Sequence, residues 1–203
     1  MAEVINFPDI NTKLTSGFWN TMKYIFGSRD QKVRRHGRQA ELRVCSILEK
    51  NLPDTFLVVN NYRIDTSAGE KDIDHLVAGP TGLFCIDTKG VTGFITVNED
   101  GCFDRKKNGY ARDSKKHHKQ VKGNVESLRR IFNRANLKGY IHPMLCFTFA
   151  NVDLDEVGGV KIVYPGTLIE SIMKPRSNSR AVDVKSFKIF FEAELARLKK
   201  RPR

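Results

Sequence analysis

Two short apolar segments of the sequence each carry charged residues, and a turn-forming sequence joins them. The segments are residues 72–78 (DIDHLVA) and 83–89 (LFCIDTK), and residues 79–82 (GPTG) between them suit a tight reversal. This order is typical of a β-hairpin. Because strands with apolar neighbours seldom hold charge without compensation, the charged residues of the hairpin are the first candidates for chemistry.

Pairing outward from the turn decides which of these charges face each other. It places Asp74 opposite Asp87 and Asp72 opposite Lys89. Directly opposed residues of an antiparallel pair have Cβ atoms about 4.5 to 5.5 Å apart, and residues two apart share a face. The spacing therefore predicts that three carboxylates and one ammonium group cluster on one side of the hairpin.

Opposed carboxylates repel each other, so this cluster needs a compensating charge. A divalent cation supplies it, since Mg²⁺ or Mn²⁺ prefers carboxylate, water and phosphate oxygens. Lys89 could then position the attacking water or stabilise charge that develops on a phosphate. The alternative is an ordinary set of solvated surface ions. Because the charges interrupt an apolar run over residues 83–86, we favour a metal site with Asp74 and Asp87 as ligands.

A third carboxylate lies on the helix expected before the hairpin. Residues 37–52 have apolar side chains at helical spacing, and Glu41 is on the same face as Cys45 and Leu48. An unpaired acid on an inward face is costly. Glu41 is therefore a candidate third metal ligand or part of the water shell.

Several of these motifs together resemble a known family. Gly37-x3-Glu41, the segment 73–77 (IDHLV), the segment 82–89 (GLFCIDTK) followed by Gly93, and Gln120 occur in the order seen in the nuclease-related domain (NERD) family. This family is grouped with the PD-(D/E)XK nucleases, and the resemblance covers about residues 34–150. One departure is the segment 114–119 (SKKHHK), which stands where Asn-Pro is common.

The resemblance implies a restriction-endonuclease-like α/β fold and phosphodiester hydrolysis. It implies that Asp74 and Asp87 are the motif acids, that Lys89 is the motif lysine, and that Glu41 is the helix acid. Gln120 matches the glutamine often found on the following helix. The implied catalytic set is Lys89, Asp87, Asp74, Glu41 and Gln120, with Mg²⁺ or Mn²⁺ held by the three acids.

The charge of the chain indicates a polyanionic partner. The formal net charge is +12, and a field of this sign raises the local concentration of nucleic acid. A basic run follows the hairpin and is a candidate wall for phosphate contacts. Its members are Arg105, Lys106, Lys107, Arg112, Lys115, Lys116, Lys119 and Lys122. A solvated helix face is an equally good interpretation of Lys115, Lys116 and Lys119.

The remaining pattern predicts a mixed α/β domain with a central sheet flanked by helices. We expect strands over 56–63, 93–98, 143–150 and 160–164 besides the hairpin, and polar or basic connections over 66–71 and 101–113. Helices are expected over 114–135, with Ser114 as N-cap, 166–173 and 182–200. Residues 1–33 are predicted as a helical arm and linker, and residues 34–203 as the nuclease-like domain. The aromatic segment of the arm (Phe18, Trp19, Tyr24, Phe26) could support a homodimer.

Other classes of protein are disfavoured. The four cysteines form no CxxC pair and are expected to be reduced and buried, and no apolar stretch approaches the ~20 residues of a membrane span. His75 is expected in the core, and His117 and His118 point about 100° apart on a helix, which disfavours a histidine metal site. The N-terminus does not resemble a secretory signal, so we expect a cytoplasmic protein.

Two hypotheses for function follow. The first is a divalent-metal-dependent nuclease that hydrolyses phosphodiester bonds of DNA. The alternative is a non-catalytic DNA-binding or accessory module in plasmid or phage DNA processing that retains the fold. Opposed buried carboxylates favour the enzyme, because a binding module has no need of them.

Overall fold

A computed structural model of the chain describes residues 1–7, 28–66, 69–107, 110–174 and 181–200. Nine strands and four helices lie within these residues. The strands are β1 (Glu3–Asn6), β2 (Leu57–Thr66), β3 (Gly69–Gly79), β4 (Gly82–Val97), β5 (Phe103–Lys107), β6 (Tyr110–Lys115), β7 (Ile141–Val152), β8 (Glu156–Val157) and β9 (Val160–Val163). The helices are α1 (Ser28–Asn51), α2 (His117–Arg134), α3 (Leu168–Met173) and α4 (Val184–Lys200).

All nine described strands join one mixed sheet, and seven of them follow the order β1-β2-β3-β4-β7-β9-β8. The long strand β4 is central: it is antiparallel to β3 and β5 and parallel to β7. β5 pairs with the far end of β4, and β6 pairs with β5. A parallel neighbour needs a long crossover, and α2 provides the return from β6 to β7.

Helices cover both faces of the sheet and enclose two apolar cores. One core contains residues of α2 and α4, such as Val125 and Phe187, and the other contains residues of α1 and α3, such as Val44 and Ile172. α1 presents Ala40, Val44 and Leu48 to its core at a spacing of four residues, as an amphipathic helix must. The first half of β4 and most of β7 are buried on both sides, which explains the nearly continuous apolar sequence of these segments.

The predicted fold class, a mixed sheet flanked by helices, is confirmed. The inward stripe of α2 is also as predicted, since His118, Val121, Val125, Leu128 and Phe132 are all buried. Among the helices of the described residues, none combines the length and the apolar character that a membrane crossing requires. All four cysteines are free, as predicted, but only Cys85 and Cys146 are buried; Cys45 and Cys102 are half-buried, so the prediction of burial is wrong for these two.

The N-terminal prediction is wrong for residues 3–6, which form a strand and not a helix. β1 pairs in parallel with β2, and Ile5 and Phe7 are buried in the core, where the Phe7 ring contacts Tyr62 and Phe191. α1 already begins at Ser28, within the expected linker. The aromatic segment Phe18–Phe26, on which the predicted homodimer depends, lies outside the described residues.

Three connections also differ from the prediction. The segment 93–98 is not a separate strand but the continuation of β4, and the basic segment 101–113 contributes β5 and most of β6. The predicted loop 66–71 contains the ends of β2 and β3. Ser114 belongs to β6, so it does not cap α2, and the N-cap position is Lys116, whose side chain makes no capping hydrogen bond. Asp and Lys, which occur in both segments, are depleted in strands, and this is why the pattern did not indicate β5 and β6.

Candidate active site

The β3–β4 pair is regular near its turn and separates farther away. The predicted register is confirmed from Gly79 opposite Gly82 to His75 opposite Ile86, where the pairing ends. We call residues 75–79 with 82–86 the turn end, and residues 72–74 with 87–89 the open end. Beyond the separation, β3 remains paired with β2.

Asp74 bridges the two strands where their backbone pairing stops. Its Oδ2 accepts a hydrogen bond of 2.7 Å from the backbone N–H of Thr88 on β4. A carboxylate therefore satisfies the Thr88 N–H, which would pair with a backbone carbonyl if the β3–β4 pairing continued. This places Asp74 beside Asp87, in agreement with the sequence register.

Asp72 does not face Lys89, and this part of the prediction is wrong. β3 follows β2 away from β4, which places Asp72 opposite Arg63. Asp72 Oδ1 pairs with Arg63 Nε at 3.0 Å, and the side chain of Asp72 is 68% exposed. Asp72 is therefore a surface ion of the β2–β3 pair.

A residue with a left-handed backbone conformation lies where the side chains of β2 stop alternating regularly between the two faces of the sheet. Asn61 has a φ of +56°, and its register position is directly opposite Asp74. Val59 and Tyr62 point into the same core although they are three residues apart. The faces of β2 therefore switch at Asn61, and the prediction that Asp72 and Asp74 share a face failed for this reason. Asparagine tolerates the left-handed region better than most residues, so the Asn60-Asn61 pair was the available signal.

Lys89 is held between Asp87 and Gln120. Its ammonium group forms an ion pair with Asp87 Oδ2, and it donates to Gln120 Oε1 at 3.3 Å. Both charged side chains are largely buried, at 6% exposure for Asp87 and 15% for Lys89. Gln120 comes from the first turn of α2, so the structure brings together the lysine and glutamine that the sequence had indicated.

A second lysine ties α2 to the ribbon that carries Asp74. Lys71 of β3 donates to the carbonyl oxygen of Gly123 at 3.3 Å and to Ser127 Oγ at 3.2 Å. Both partners lie on α2, one and two turns beyond Gln120. Sequence reasoning missed Lys71 because it was placed in a loop.

Glu41 approaches the pair from the other face of the sheet. It is half-buried on α1, and its charge contributes to the raised pKa of Asp74. The close contact between α1 and β4 depends on Gly90, because a Cβ there would be 2.6 Å from the carbonyl oxygen of His36. Gly90 was not singled out in the sequence, although a glycine directly after the motif lysine is a signal for close backbone approach.

The electrostatics of the open end favour a cation. Burial, followed by repulsion from Asp87, raises the pKa of Asp74 well above its usual range, although the Thr88 N–H opposes the shift. Burial also raises the pKa of Asp87, against the lowering effect of Lys89. These shifts show that one ammonium group does not fully compensate two adjoining carboxylates.

The acids fit a hard divalent cation, although they do not form a complete cage. In the described part of the chain, no three acid, histidine or cysteine side chains converge as a preformed ligand cluster. Mg²⁺ commonly takes only one or two protein carboxylates and completes its shell with water and substrate oxygens. Asp87 Oδ2 is buried against the ammonium group of Lys89, and Asp74 Oδ2 accepts from the Thr88 N–H, so one oxygen of each carboxylate has a described partner.

The basic residues expected to contact phosphate have different surroundings. Lys115, Lys116, Lys119 and Lys122 are exposed, and Lys122 also donates to the carbonyl oxygen of Gly158 at 3.1 Å. Arg105 is half-buried and donates to Thr92 Oγ1 at 2.9 Å. The side chains of Lys106, Lys107 and Arg112 lie outside the described part.

The histidines have structural surroundings. His75 is buried, its Nδ1 lies 2.7 Å from Asn60 Oδ1, and burial lowers its pKa to about 3. The predicted core histidine is therefore confirmed. His118 is buried against Gly101 and Gly158, where a Cβ would come within 2.9 Å and 3.1 Å of its ring.

Comparison with known proteins gives one relative and one family. An uncharacterized protein of Bacillus anthracis is 31% identical over 102 residues, which cover 44% of this chain and 48% of that protein. The match thus spans about half the length of the relative. No solved structure matches the chain.

The model of the nuclease-related domain matches residues 36–148, which is more than half of the 203 residues. The matched region contains Glu41, Asp74, Asp87, Lys89 and Gln120, the residues that the structure brings together between α1, α2 and the open end. The chain therefore belongs to the nuclease-related domain (NERD) family, a PD-(D/E)XK-like nuclease domain.

Proposed function

We propose that this protein is a divalent-metal-dependent nuclease that hydrolyses phosphodiester bonds of DNA. The observation that carries the proposal is the adjacent pair of carboxylates, Asp74 and Asp87, with Lys89 paired to one of them at the separation of β3 and β4. Two carboxylates of raised pKa are costly in a structural strand pair and useful in a metal site.

Asp74, Asp87 and Glu41 would hold Mg²⁺ or Mn²⁺. When bound, the cation supplies charge stabilisation at a phosphate and lowers the pKa of water. Asp74 is suited to this role because the Thr88 N–H fixes its Oδ2, and Oδ1 would then be the oxygen that binds the cation. Binding of the cation would also relieve the mutual repulsion of the acids.

Lys89 would act on the reacting groups. Its ammonium group is directed by Asp87 and Gln120, so that its third N–H can donate a hydrogen bond that positions the attacking water or that stabilises charge on a phosphate oxygen. Gln120 is a positioning residue in this scheme, because it contacts Lys89. The exposed lysines of the α2 region would bind the DNA backbone without reading sequence.

The proposal is tested by cleavage of supercoiled, linear and single-stranded DNA in the presence of Mg²⁺ or Mn²⁺. Asp87→Ala and Lys89→Ala should each abolish cleavage and leave most of the DNA affinity intact, because backbone contacts supply that affinity. Asp72→Ala is the matched control, since it removes an acid of the same ribbon that faces away from Lys89. Unchanged cutting by both variants would contradict the proposal.

Thermal melting separates the enzyme from a DNA-binding accessory module. Mn²⁺ at low salt should raise the melting temperature of the unmodified chain and leave that of Asp74→Asn unchanged. A module without a metal site would show neither this rise nor cleavage. The proposed location, a cytoplasmic one, can be checked separately by cell fractionation.

A further inference from the structure

Lys71 of β3 is a charged side chain whose described partners are neutral. The acids on either side of it in the sequence, Glu70 and Asp72, both pair with Arg63 of β2. Because side chains alternate along a strand, Lys71 lies on the opposite face, which it shares with the buried Ile73. Ile73 belongs to the core that also contains residues of α2. Lys71 therefore extends from β3 toward α2.

The ammonium group of Lys71 binds the face of α2 that also holds Lys89. Its Nζ donates to the carbonyl oxygen of Gly123 at 3.3 Å and to Ser127 Oγ at 3.2 Å. Lys89 donates to Gln120 Oε1. Positions 120, 123 and 127 are three and four residues apart, so they lie on one face of the helix. One helix face therefore binds a lysine from β3 and a lysine from β4.

The contact of Lys71 with α2 is a closed set of three hydrogen bonds. Ser127 Oγ, which accepts from Lys71, itself donates to the carbonyl oxygen of Gly123 at 2.9 Å. That carbonyl oxygen also accepts from Lys71. The hydroxyl group thus uses its donor and one acceptor site within the set. Each of the three groups is held by the other two, which gives the ammonium group a defined position on the helix.

α2 connects β3 and β4 at the open end. The described backbone pairs of the two strands stop before this end, where Asp74 accepts from the Thr88 N–H. Lys71 is three residues before Asp74 on β3, and Lys89 is next to Thr88 on β4. Because both lysines bind α2, the helix joins the strands where their own pairing has ended. The spacing of the open end therefore depends on α2 as well as on one direct hydrogen bond.

We propose that Lys71 is a positioning residue of the candidate active site: it anchors β3 to α2 and thereby holds Asp74 at a fixed separation from Asp87 and Lys89. The inference rests on the proposed nuclease function, which it deepens by assigning the spacing of the acids to a residue outside the motif. Mg²⁺ requires near-ideal octahedral geometry, so a site for it needs carboxylates at a defined separation.

The first test is hydrogen exchange of backbone amides, measured by NMR on the full chain in EDTA. The Thr88 N–H reports on the anchor because it donates to Asp74. Lys71→Met keeps the length of the side chain and removes its charge and donors. It should accelerate exchange of the Thr88 amide about 10-fold or more and change exchange at the turn end less than about 2-fold.

Two further variants control this measurement. Lys71→Arg keeps the charge and the donors, so it should retain most of the protection of the Thr88 amide. Lys138→Met removes the same charge from an exposed lysine beyond the C-terminal end of α2, and it should leave exchange at both ends of the strand pair unchanged.

The second test is the kinetics of DNA cleavage with Mg²⁺. Lys71→Met should lower kcat about 10-fold to 100-fold and change the KM for DNA less than about 2-fold, because misplaced acids slow the reaction without removing a contact to the substrate. Lys71→Arg should recover most of the lost kcat. A raised KM with an unchanged kcat would overturn the inference and assign Lys71 to phosphate contact.

The exchange experiment separates this inference from the proposed function, because it needs neither metal nor cleavage. Equal acceleration at the turn end and at the Thr88 amide, or acceleration at neither, would overturn the inference even in a chain that cuts DNA. Selective acceleration at the Thr88 amide in a chain that cuts no DNA would uphold the anchoring role of Lys71 and reject the nuclease proposal.

Discussion

The turn end of the β3–β4 pair is regular and apolar, whereas its open end is irregular and charged. At the turn end, backbone pairs run from Gly79 and Gly82 to His75 and Ile86, and the side chains between them are buried. At the open end, the carboxylate of Asp74 accepts a hydrogen bond from β4 in place of a backbone carbonyl. The two ends lie on the same strands, yet the turn end contributes apolar packing to the fold and the open end contributes the charged groups of the candidate site.

The largest expected effect is loss of the turn-end core. Phe84 is fully buried and stacks on His142 with ring centroids 5.1 Å apart. Phe84→Ala should lower the free energy of unfolding by about 3 to 5 kcal/mol, because it leaves a cavity between packed layers. Urea denaturation would measure this loss. A loss under about 1 kcal/mol would show that the turn end does not stabilise the fold.

At the open end, removal of a charge should raise the free energy of unfolding instead of lowering it. The pKa of Asp74 is raised above 3.8 in the folded chain, so its contribution to stability is complete below that value and is lost as pH rises. Without divalent cations, Asp74→Asn should therefore become more stable than the unmodified chain as pH increases from about 4, reaching on the order of 1 to 3 kcal/mol.

Denaturation of both proteins at each pH measures this difference. Comparison at equal pH cancels the contribution of His75, whose lowered pKa acts in the opposite sense between 6.5 and about 3. Excess Mn²⁺ should reverse the order, because it binds only the protein with the carboxylate. An Asp74→Asn variant that is less stable at every pH would show that the acids stabilise the strand separation.

Gly90→Ala should disturb the approach of α1 to the open end. The added Cβ would be 2.6 Å from the His36 carbonyl oxygen, so the helix that carries Glu41 must shift. We expect a loss of about 1 to 3 kcal/mol in stability and reduced cleavage. Gly37→Ala, on the helix side of the same contact, is the control: nothing lies within 4 Å of its Cβ, so both properties should be kept.

The smallest effect is expected for Asp72→Ala. The pair of Asp72 with Arg63 is largely exposed, and Arg63 keeps Glu70 as a second partner at 3.0 Å. Stability should change by less than about 0.5 kcal/mol in chemical denaturation, and cleavage should persist. Abolished cleavage would restore Asp72 to the site and contradict the separation of the two strands.

The sequence predicted the part of this site that depends on short-range pairing. The turn between Gly79 and Gly82 determines the register, so the proximity of Asp74 and Asp87 followed from counting. The position of Asp72 could not be predicted from the turn, because it depends on β2. There, Asn61 has a left-handed conformation and Arg63 pairs with Asp72, and β3 stays with β2 instead of β4.

The same limit applies to the ends of the sheet. β1 has four residues, and its partner β2 lies about fifty residues later, so no local pattern indicated that residues 3–6 complete a parallel pair. The turn end needed no such partner, since its two strands are neighbours in the chain.

The separation of β3 from β4 also has a consequence for association between chains. Along that edge of β4, no described strand pairs with residues between Ile86 and Ile95, so backbone groups there could accept a strand from another molecule. Such a strand would have to cover the charges of Asp74, Asp87 and Lys89 and cross the irregularity between Lys89 and Thr92. Charged groups and bulges are the means by which open sheet edges resist aggregation. We therefore expect the buried acids also to disfavour the pairing of a foreign strand in this gap.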